Sequence, residues 1–451
     1  MRANRCHQNS EDEERSEEMT TCHQMTIVIF ACLGMYVVFM TRLYPSGFYL
    51  DFLKQSGFST IIGTVSISAA LITSPAGPYI YNYLPKTIRN ASLFKRYFCG
   101  SLLNLTCSSM MALIQVFIDM NCDAPVIFVT IALLRGIQGF AMGIMHVFVQ
   151  GEVIDLYLKE DKKTMILISS FMQVGAILSA ILGTELFVAG GWVLVGLGIA
   201  SFNIFPLLVF PFLKNIEVKE SNKQKVDSTN KESPELTDRS NSIGPQSIPL
   251  WSQKIAFYFP DVVLFLNNAL SDLIRYLLPA RILYSTTMSL SSAVQLVRIM
   301  GIASLISALT LSLLAGRIKT LNVITTMAIG NIFYHCGSVV AFGATTSDFK
   351  FFDFTNQLVI GLILMGGGHA CYLNLYTPTK FYLYKKWSLG NSNLGEQSAK
   401  IFNIVLSLSS AMGTIASALS LNEGTEILTI TAISGLCVFL TLGLFLCNLV
   451  K

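Results

Sequence analysis

Long apolar segments constrain this chain more than any other feature of its sequence. Twelve of them alternate with polar loops, and each approaches the roughly 20 residues that an α-helix needs to cross a bilayer. The segments lack the two-residue alternation of a barrel strand, and in lipid a helix satisfies its own backbone hydrogen bonds. The transmembrane helices are predicted at Thr26–Arg42, Thr60–Ile80, Cys99–Ile118, Pro125–Gln150, Met165–Val188, Trp192–Leu213, Ile255–Leu278, Ala293–Leu314, Val323–Ala344, Gln357–Leu375, Phe402–Leu421 and Ile427–Val450.

Lysine and arginine are distributed unevenly between the loops. The loops after the second, fourth, sixth, eighth and tenth segments carry 20 of them, whereas the loops after the odd-numbered segments carry 3. Cytoplasmic loops of membrane proteins are enriched in these two residues. The even-numbered loops and both chain termini are therefore expected on the cytoplasmic side.

A long polar stretch divides the chain into two groups of six segments. Residues 214–254 combine low hydrophobicity with mixed charge, which predicts a flexible cytoplasmic linker. We expect one six-helix half at residues 25–213 and a second at residues 255–451. Residues 1–24 are acidic and predicted to be disordered, and they lack the positive region of a cleaved signal. This all-α layout resembles the major facilitator fold, whose binding site lies between the halves.

Composition and motifs exclude several classes of function. The net charge of +4 is too small and too scattered to predict nucleic-acid binding. The ten cysteines lie mostly in apolar segments without Cys-x-x-Cys spacing, so we expect neither a metal site nor a disulfide framework. Because hydrolase, zinc-protease and Walker motifs do not occur, we expect no enzyme, no ATP-driven pump and no cofactor.

Polar residues inside the fourth segment are candidates for a binding site. A charge in hydrocarbon costs at least about 2.5–3.5 kcal/mol, so it tends to face a cavity or a partner. Arg135 lies near the middle of the segment, and His146, three turns later, shares its face. We expect Arg135 to point inward together with Gln138. Arg42, at the end of the first segment, is expected to snorkel towards water.

The seventh segment carries the clearest polar stripe. Asn268, Asp272 and Arg275 lie within about 40° of the direction of Asp261 on a helical wheel. Asp272 and Arg275 are three residues apart and can pair. The stripe either lines a central cavity or, if the pair is neutralised, locks helices together. Weaker candidates for the cavity are Gln173 and His369.

One short motif is similar to that of a known family. The sequence from Arg135 to Gly139, with Gln138 in its fourth position, resembles the Arg-x-x-Gln-Gly motif of major facilitator drug antiporters. In that family the arginine is thought to assist proton transfer. The second half resembles the vesicular amine transporters, particularly their polyamine branch, at Phe265–Pro279 and Asn393–Ser417. The resemblance implies exchange of an organic cation for protons in a vesicular, endolysosomal or plasma membrane.

Several motifs of those families are absent. The loop after the second segment has no Asp–Arg pair, the fifth segment lacks the Gly-Pro of the antiporters, and Leu278 precedes Pro279 where relatives have Asp. In addition, segments 1, 10 and 11 contain no carboxylate.

The residues allow three hypotheses. In the first, alternating access moves an amine against protons, with Asp272 as the cation or proton site and Arg135 as its partner across the cavity. In the second, Asp272 stays paired with Arg275 and the solute is neutral or anionic. The third is a sensor or scaffold that does not transport. The expected partners are a small-molecule substrate, protons and the lipid bilayer.

Overall fold

The computed structural model describes residues 25–81, 93–147, 149, 162–208, 251–314, 320–345, 352–386, 394–423 and 430–440. Within these ranges every regular element is a helix. The helices are α1 (25–43), α2 (Tyr49–Gln55), α3 (Thr60–Thr73), α4 (Ala76–Tyr81), α5 (Leu93–Met110), α6 (Leu113–Asp119), α7 (Ala124–Val147), α8 (Lys162–Asn203), α9 (Trp251–Ser285), α10 (Leu290–Leu314), α11 (Thr320–Ala344), α12 (Phe354–Lys386), α13 (Leu394–Glu423) and α14 (Ile430–Leu440).

The apolar helices coincide with the predicted segments. Among the described residues, nine helices are long and apolar enough to cross a membrane, and Thr60–Thr73 and Ile430–Leu440 are shorter apolar helices. The prediction of an all-helical membrane protein is confirmed. The count of twelve spans and the cytoplasmic termini stay predictions. The tail at residues 1–24 and most of the linker at 214–254 lie outside the described residues.

The first span is longer than its apolar pattern predicts. A 3-10 turn at Tyr44–Gly47 follows α1 and leads directly into α2, so that the candidate span runs from Met25 to Gln55. Pro45 is the second residue of this turn, and its ring nitrogen has no hydrogen to donate, which explains the local change of helix type. Arg42 therefore lies inside the span rather than at its end.

Helix α8 covers both the fifth and the sixth predicted segments, but its backbone is not helical where the two segments join. Gly190 and Gly191 have non-helical backbone angles, and Gly191 has φ 58°, a conformation that favours glycine. A Cβ on Gly198 would touch the side chain of Leu186. These two residues would lie about 18 Å apart in a straight helix, so the chain reverses at the two glycines. The predicted break between Val188 and Trp192 is confirmed.

The two halves meet along three helices of the first half and three of the second. Helix α8 packs against α10 and α12, while α3 and α7 pack against α13. Helix α12 extends to Lys386, beyond the predicted end of the tenth segment at Leu375. It contains Pro378, which membrane helices tolerate where neighbouring groups replace the lost hydrogen bond. Lys380, counted above as a loop residue, consequently lies within a helix.

Candidate functional site

A cavity of about 40 Å³ lies where the two halves meet. The first half contributes α8 and the 3-10 turn, and the second half contributes α9, α10 and α12. Small-molecule sites measure roughly 300–1,000 Å³. In this conformation the cavity is therefore far smaller than such a site. Its lining residues are Ser46, Gly47, Gln173, Ala176, Ile177, Ala180, Ile181, Arg275, Pro279, Val294, Val297, Arg298, Met300, Gly301, Ser304 and His369.

The charged side chains that line the cavity are both basic. Arg275 and Arg298 face it, and no Asp or Glu belongs to the described lining. Arg298 lies 3.5 Å from Glu185, but both side chains are partly exposed, so this ion pair is weak. The Nε of Arg298 and the Nε2 of Gln173 are buried and have no hydrogen-bond partner. The cavity thus combines two basic side chains with two buried donor groups that have no acceptor.

Asp272 and Arg275 form an ion pair beside the cavity. Arg275 Nη1 donates to Asp272 Oδ1 at 2.8 Å, three residues along α9. The side chain of Asp272 is 1% exposed, and its second oxygen, Oδ2, has no hydrogen-bond partner. Arg275 is 12% exposed and reaches the cavity, whereas Asp272 lies behind it. The pairing expected from their spacing is present.

His369 fixes the orientation of the Arg275 guanidinium. Its Nε2 lies 3.3 Å from Arg275 Nη2, and its Nδ1 lies 3.3 Å from Ser304 Oγ. A guanidinium only donates, so Nε2 must accept and the proton of the neutral ring lies on Nδ1. This tautomer is assigned from the hydrogen-bond partners. His369 therefore extends the Asp272–Arg275 pair into a chain of three side chains.

Arg42 and Asn268 reach the same point on α13 from opposite halves. Arg42 Nη2 donates to the carbonyl of Leu406 and, at 2.6 Å, to Ser410 Oγ. Asn268 Nδ2 donates to the same two groups at 3.0 and 2.7 Å, and to Ser409 Oγ at 2.8 Å. The expectation that Arg42 snorkels is wrong, because the side chain is buried between the halves.

Sequence comparison identifies the superfamily to which this arrangement belongs. The sequence profile of the Major Facilitator Superfamily matches residues 94–414, more than half of the chain. The chain belongs to the Major Facilitator Superfamily. A search of curated proteins gives no match. The protein is therefore a multi-pass membrane transporter, and members of the superfamily are generally transporters rather than enzymes. The likeness to vesicular amine transporters stays a prediction.

Arg135 of α7 holds α1 and α3 in place within the first half of the transporter, through hydrogen bonds to their backbone carbonyls. Its guanidinium donates to the carbonyls of Thr41 at 2.8 Å, Arg42 at 3.1 Å and Ile67 at 3.3 Å. It also donates to Gln138 Oε1 at 2.9 Å. The first two carbonyls belong to the last turn of α1, where the chain changes to a 3-10 turn. The structure thus gives Arg135 a capping role there.

Gln173, Arg275 and His369 belong to the cavity lining, whereas the other five residues predicted for the site do not: Arg135, Gln138, His146, Asn268 and Asp272. Arg135 and Gln138 are buried among α1, α3, α5 and α7, and Gln138 Nε2 donates to Ser108 Oγ at 2.9 Å. None of the described carboxylates lies within ion-pair distance of Arg135. The expected pairing of Arg135 with Asp272 across the cavity is therefore absent, because backbone carbonyls and Gln138 already accept its hydrogen bonds.

One end of the facilitator is closed by contacts of α13 with the first half. Ser74 Oγ and the Ser74 carbonyl both contact the Asn403 side chain at 3.2 Å. His146 packs against Phe402 with ring centroids 5.5 Å apart, and against Phe39 at 6.3 Å. We call this end the basic face, because the lysine- and arginine-rich loops follow it in the sequence.

The other end, which we call the opposite face, is also closed. Ser291 Oγ donates to Glu185 Oε1 at 2.7 Å and thereby links α10 to α8. The ammonium group of Lys54 lies 3.5 Å from the centre of the Tyr284 ring, linking α2 to α9. Contacts between the two halves are thus present at both faces, and we call this conformation closed.

The second half contains two polar clusters that the sequence analysis did not predict. Lys380 Nζ lies 2.6 Å from Asp261 Oδ2, and Tyr376 donates to the other oxygen of the same carboxylate. In addition, Asn267 links His335, at 2.7 Å, to Asn331, at 2.5 Å. Only the position of Asp261 on the polar stripe of the seventh segment pointed towards either cluster.

Proposed function

We propose that this facilitator carries a small organic anion with an apolar portion. The observation that supports this proposal is the lining of the central cavity, which includes Arg275 and Arg298 but neither of the carboxylates paired with them, Asp272 and Glu185. The orphan donors of Arg298 and Gln173 favour a ligand that accepts hydrogen bonds. Guanidinium groups bind carboxylate, sulfonate and phosphate oxygens through paired hydrogen bonds.

The apolar part of the lining favours an organic rather than an inorganic anion. Ile177 and Ile181 of α8 lie across the cavity from Val294 and Val297 of α10. An apolar group enclosed there gains roughly 25 cal/mol for each Å² removed from water. The substrate class is thus an amphipathic anion whose charged end lies towards Arg275.

Transport of this anion requires the closed conformation to open at one face at a time. The cavity is too small for such a solute, so α10 and α13 must separate from the first half to admit it. The contacts at the basic face and those at the opposite face would break alternately. The protein would do so with twelve spans and with both termini on the cytoplasmic side.

Uptake into proteoliposomes tests the proposal. Radiolabelled benzenesulfonate is a suitable probe, because a sulfonate stays ionised and does not cross lipid as a neutral acid. We expect saturable uptake, and for Arg275→Gln a rise in KM of at least about tenfold, as expected for a lost charge-assisted hydrogen bond. Lys95→Gln removes the same charge at an exposed position of α5, outside the cavity, and should leave KM unchanged. Equal uptake by empty liposomes would contradict the proposal.

Exchange of an organic cation for protons is the second candidate. One observation favours it: Asp272 Oδ2 is buried without a hydrogen-bond partner and could accept a proton or an ammonium donor. Labelled spermidine and tyramine, tested in the same vesicles with an imposed pH gradient, distinguish the two. Accumulation of an amine that Asp272→Asn abolishes, without uptake of benzenesulfonate, supports the second candidate and excludes the first.

A further inference from the structure

We infer that the substrate of this transporter is a dianion, with an anionic group at each end of its apolar portion. Arg275 binds one of these groups and Arg298 the other. This substrate class rests on the proposed function and narrows it, because it adds a second charge to the substrate and assigns that charge to a named side chain. Organic dicarboxylates have this chemistry.

Helices α8 and α10 run antiparallel along the cavity. A Cβ on Gly301 of α10 would touch the side chain of Ile177 of α8, so these two residues lie at the same depth. Further along, Ser291 of α10 donates to Glu185 of α8 at 2.7 Å. Residue numbers thus rise along one helix while they fall along the other, and each depth of the cavity has residues from both.

The inner end of the cavity, away from the opposite face, contains Arg275. One helical turn from the contact described above, towards this end, are Gln173 of α8 and Ser304 of α10, which both line the cavity. Ser304 Oγ lies 3.3 Å from His369 Nδ1, and His369 Nε2 lies 3.3 Å from Arg275 Nη2. The Nε2 of Gln173 is buried and has no acceptor among the described residues. An anionic group at this depth therefore has Arg275 as its cation and Gln173 as a further donor.

Arg298 marks the outer end of the cavity. It lies one turn from Gly301 in the other direction, and its Nη2 reaches Glu185 Oε1 at 3.5 Å. Its Nε is buried and has no acceptor in the part of the chain that the structure describes. Glu185 also accepts from Ser291, so it keeps one donor when an incoming anion takes over Arg298. Arg298 can therefore bind a second anionic group.

The two guanidinium groups are held apart by the packing of the second half. Ser304 is linked to Arg275 and Ser291 to the partner of Arg298, and these two serines would lie roughly 20 Å apart along a straight helix. Because the linking side chains span part of this length, the guanidinium groups are on the order of 10 Å apart. Helices α9 and α10 belong to the same half and pack against each other. The separation is therefore kept when the two halves move apart.

The lining between the two ends is apolar and includes Ile177, Ile181 and Val297. A monoanion bound at Arg275 would extend its apolar portion along this lining and place its uncharged end against Arg298. The buried Nε of Arg298 would then stay without an acceptor, which is unfavourable. A second anionic group supplies that acceptor, so the lining favours a dianion.

Equilibrium binding of sulfonates to the purified full-length protein tests this assignment. Hexanedisulfonate, with one sulfonate at each end, is compared with hexanesulfonate, which has the same chain and a single charge. Both stay ionised, so the comparison does not depend on pH. We expect hexanedisulfonate to bind at least about tenfold more tightly, as expected for an added charge-assisted hydrogen bond. Ethanedisulfonate is too short to reach both guanidinium groups and should show no such advantage over ethanesulfonate.

Three variants assign the second anionic group to a residue. Arg298→Gln should abolish the preference, so that hexanedisulfonate and hexanesulfonate bind with similar Kd. Glu185→Gln removes the carboxylate that competes for Arg298 and should strengthen the preference, which keeps the test decisive if Arg298→Gln does not fold. Lys95→Gln removes a positive charge at an exposed position outside the cavity and should retain the wild-type preference.

The possible results separate this assignment from the proposed function. Equal affinity of the wild-type protein for hexanedisulfonate and hexanesulfonate overturns the dianion and leaves transport of monoanions intact. A preference that persists in Arg298→Gln, or that weakens in Glu185→Gln, also overturns it, because the second anionic group would then bind elsewhere. If the wild-type protein binds none of these sulfonates, the proposed function fails as well.

Discussion

The guanidinium of Arg42 and the hydroxyl of Ser410 join the two halves of the transporter, with Nη2 donating to Oγ at 2.6 Å. Arg42 belongs to α1 and Ser410 to α13, so their separation in sequence is 368 residues. Both side chains are buried. This hydrogen bond can exist only while α1 and α13 are packed together, and it therefore belongs to the closed conformation.

Replacing Arg42 by Met should loosen the contact between the halves. Methionine preserves much of the apolar volume but removes the donors to Leu406 and Ser410. We expect faster amide hydrogen exchange along α13, measured by mass spectrometry, because open conformations become more populated. Arg42→Lys retains one donor group and should give an intermediate rate. Exchange rates identical to those of the wild type would show that this hydrogen bond does not stabilise closure.

Two glycines of α7 should respond very differently to alanine. A Cβ on Gly143 would overlap the backbone carbonyl of Ser74, whereas a Cβ on Gly136 would lie 3.7 Å from Thr73, an ordinary contact. Overpacking of this kind typically costs about 1–3 kcal/mol. We expect Gly143→Ala to lower the apparent unfolding temperature in detergent and Gly136→Ala to leave it unchanged. Equal effects would contradict the close approach of the two helices at Gly143.

The buried pair of Asp261 and Lys380 should show strong coupling in a double-mutant cycle. Lys380 is 1% exposed, and Lys380→Met would leave the carboxylate without its cation. Breaking a buried pair on one side costs about 3–5 kcal/mol, whereas replacing both partners is often nearly neutral. Thermal unfolding should therefore show a large loss for Lys380→Met and substantial recovery for the Asp261→Asn/Lys380→Met double variant. If the losses of stability of the two single variants simply add in the double variant, this interpretation is wrong.

Cross-links at either face should arrest transport. Cysteines replacing Ser74 and Asn403 would join α13 to the first half at the basic face, and cysteines replacing Glu185 and Ser291 would join α8 to α10 at the opposite face. Since both contacts are present in the closed conformation, a short bifunctional thiol reagent should capture each pair. Uptake of benzenesulfonate should then fall close to that of empty vesicles, and each single-cysteine variant treated alike provides the control.

Some features of the structure arise from residues that are close together in the sequence, and such features can be predicted from the sequence. The i, i+3 spacing of Asp272 and Arg275 predicts their ion pair, because residues three apart on a helix lie on one face. The adjacent Gly190 and Gly191 lie between two apolar runs, which predicts the reversal between the fifth and sixth segments. In both cases a few consecutive residues contain all the information required.

The partners of Arg42, Arg135 and Lys380 were not predictable from the sequence. Lys380 and Asp261 are separated by 119 residues, and Arg135 and the Thr41 carbonyl by 94. Backbone carbonyls leave no pattern in the amino-acid sequence, so their role as acceptors for Arg135 is invisible there. Arg42 was misassigned because the apolar run appeared to end beside it, although the 3-10 turn carries the span onward to Gln55.

The amino-acid sequence is enough to predict that this protein is helical and embedded in a membrane. Runs of about 20 apolar residues must satisfy their backbone hydrogen bonds internally in lipid, whatever their neighbours are. Which polar side chains meet at the centre depends on how the helices pack. Packing of the two halves places Arg275 and Arg298 at the cavity and engages Arg135 elsewhere, because the net charge of a buried site depends on which distant groups are brought together.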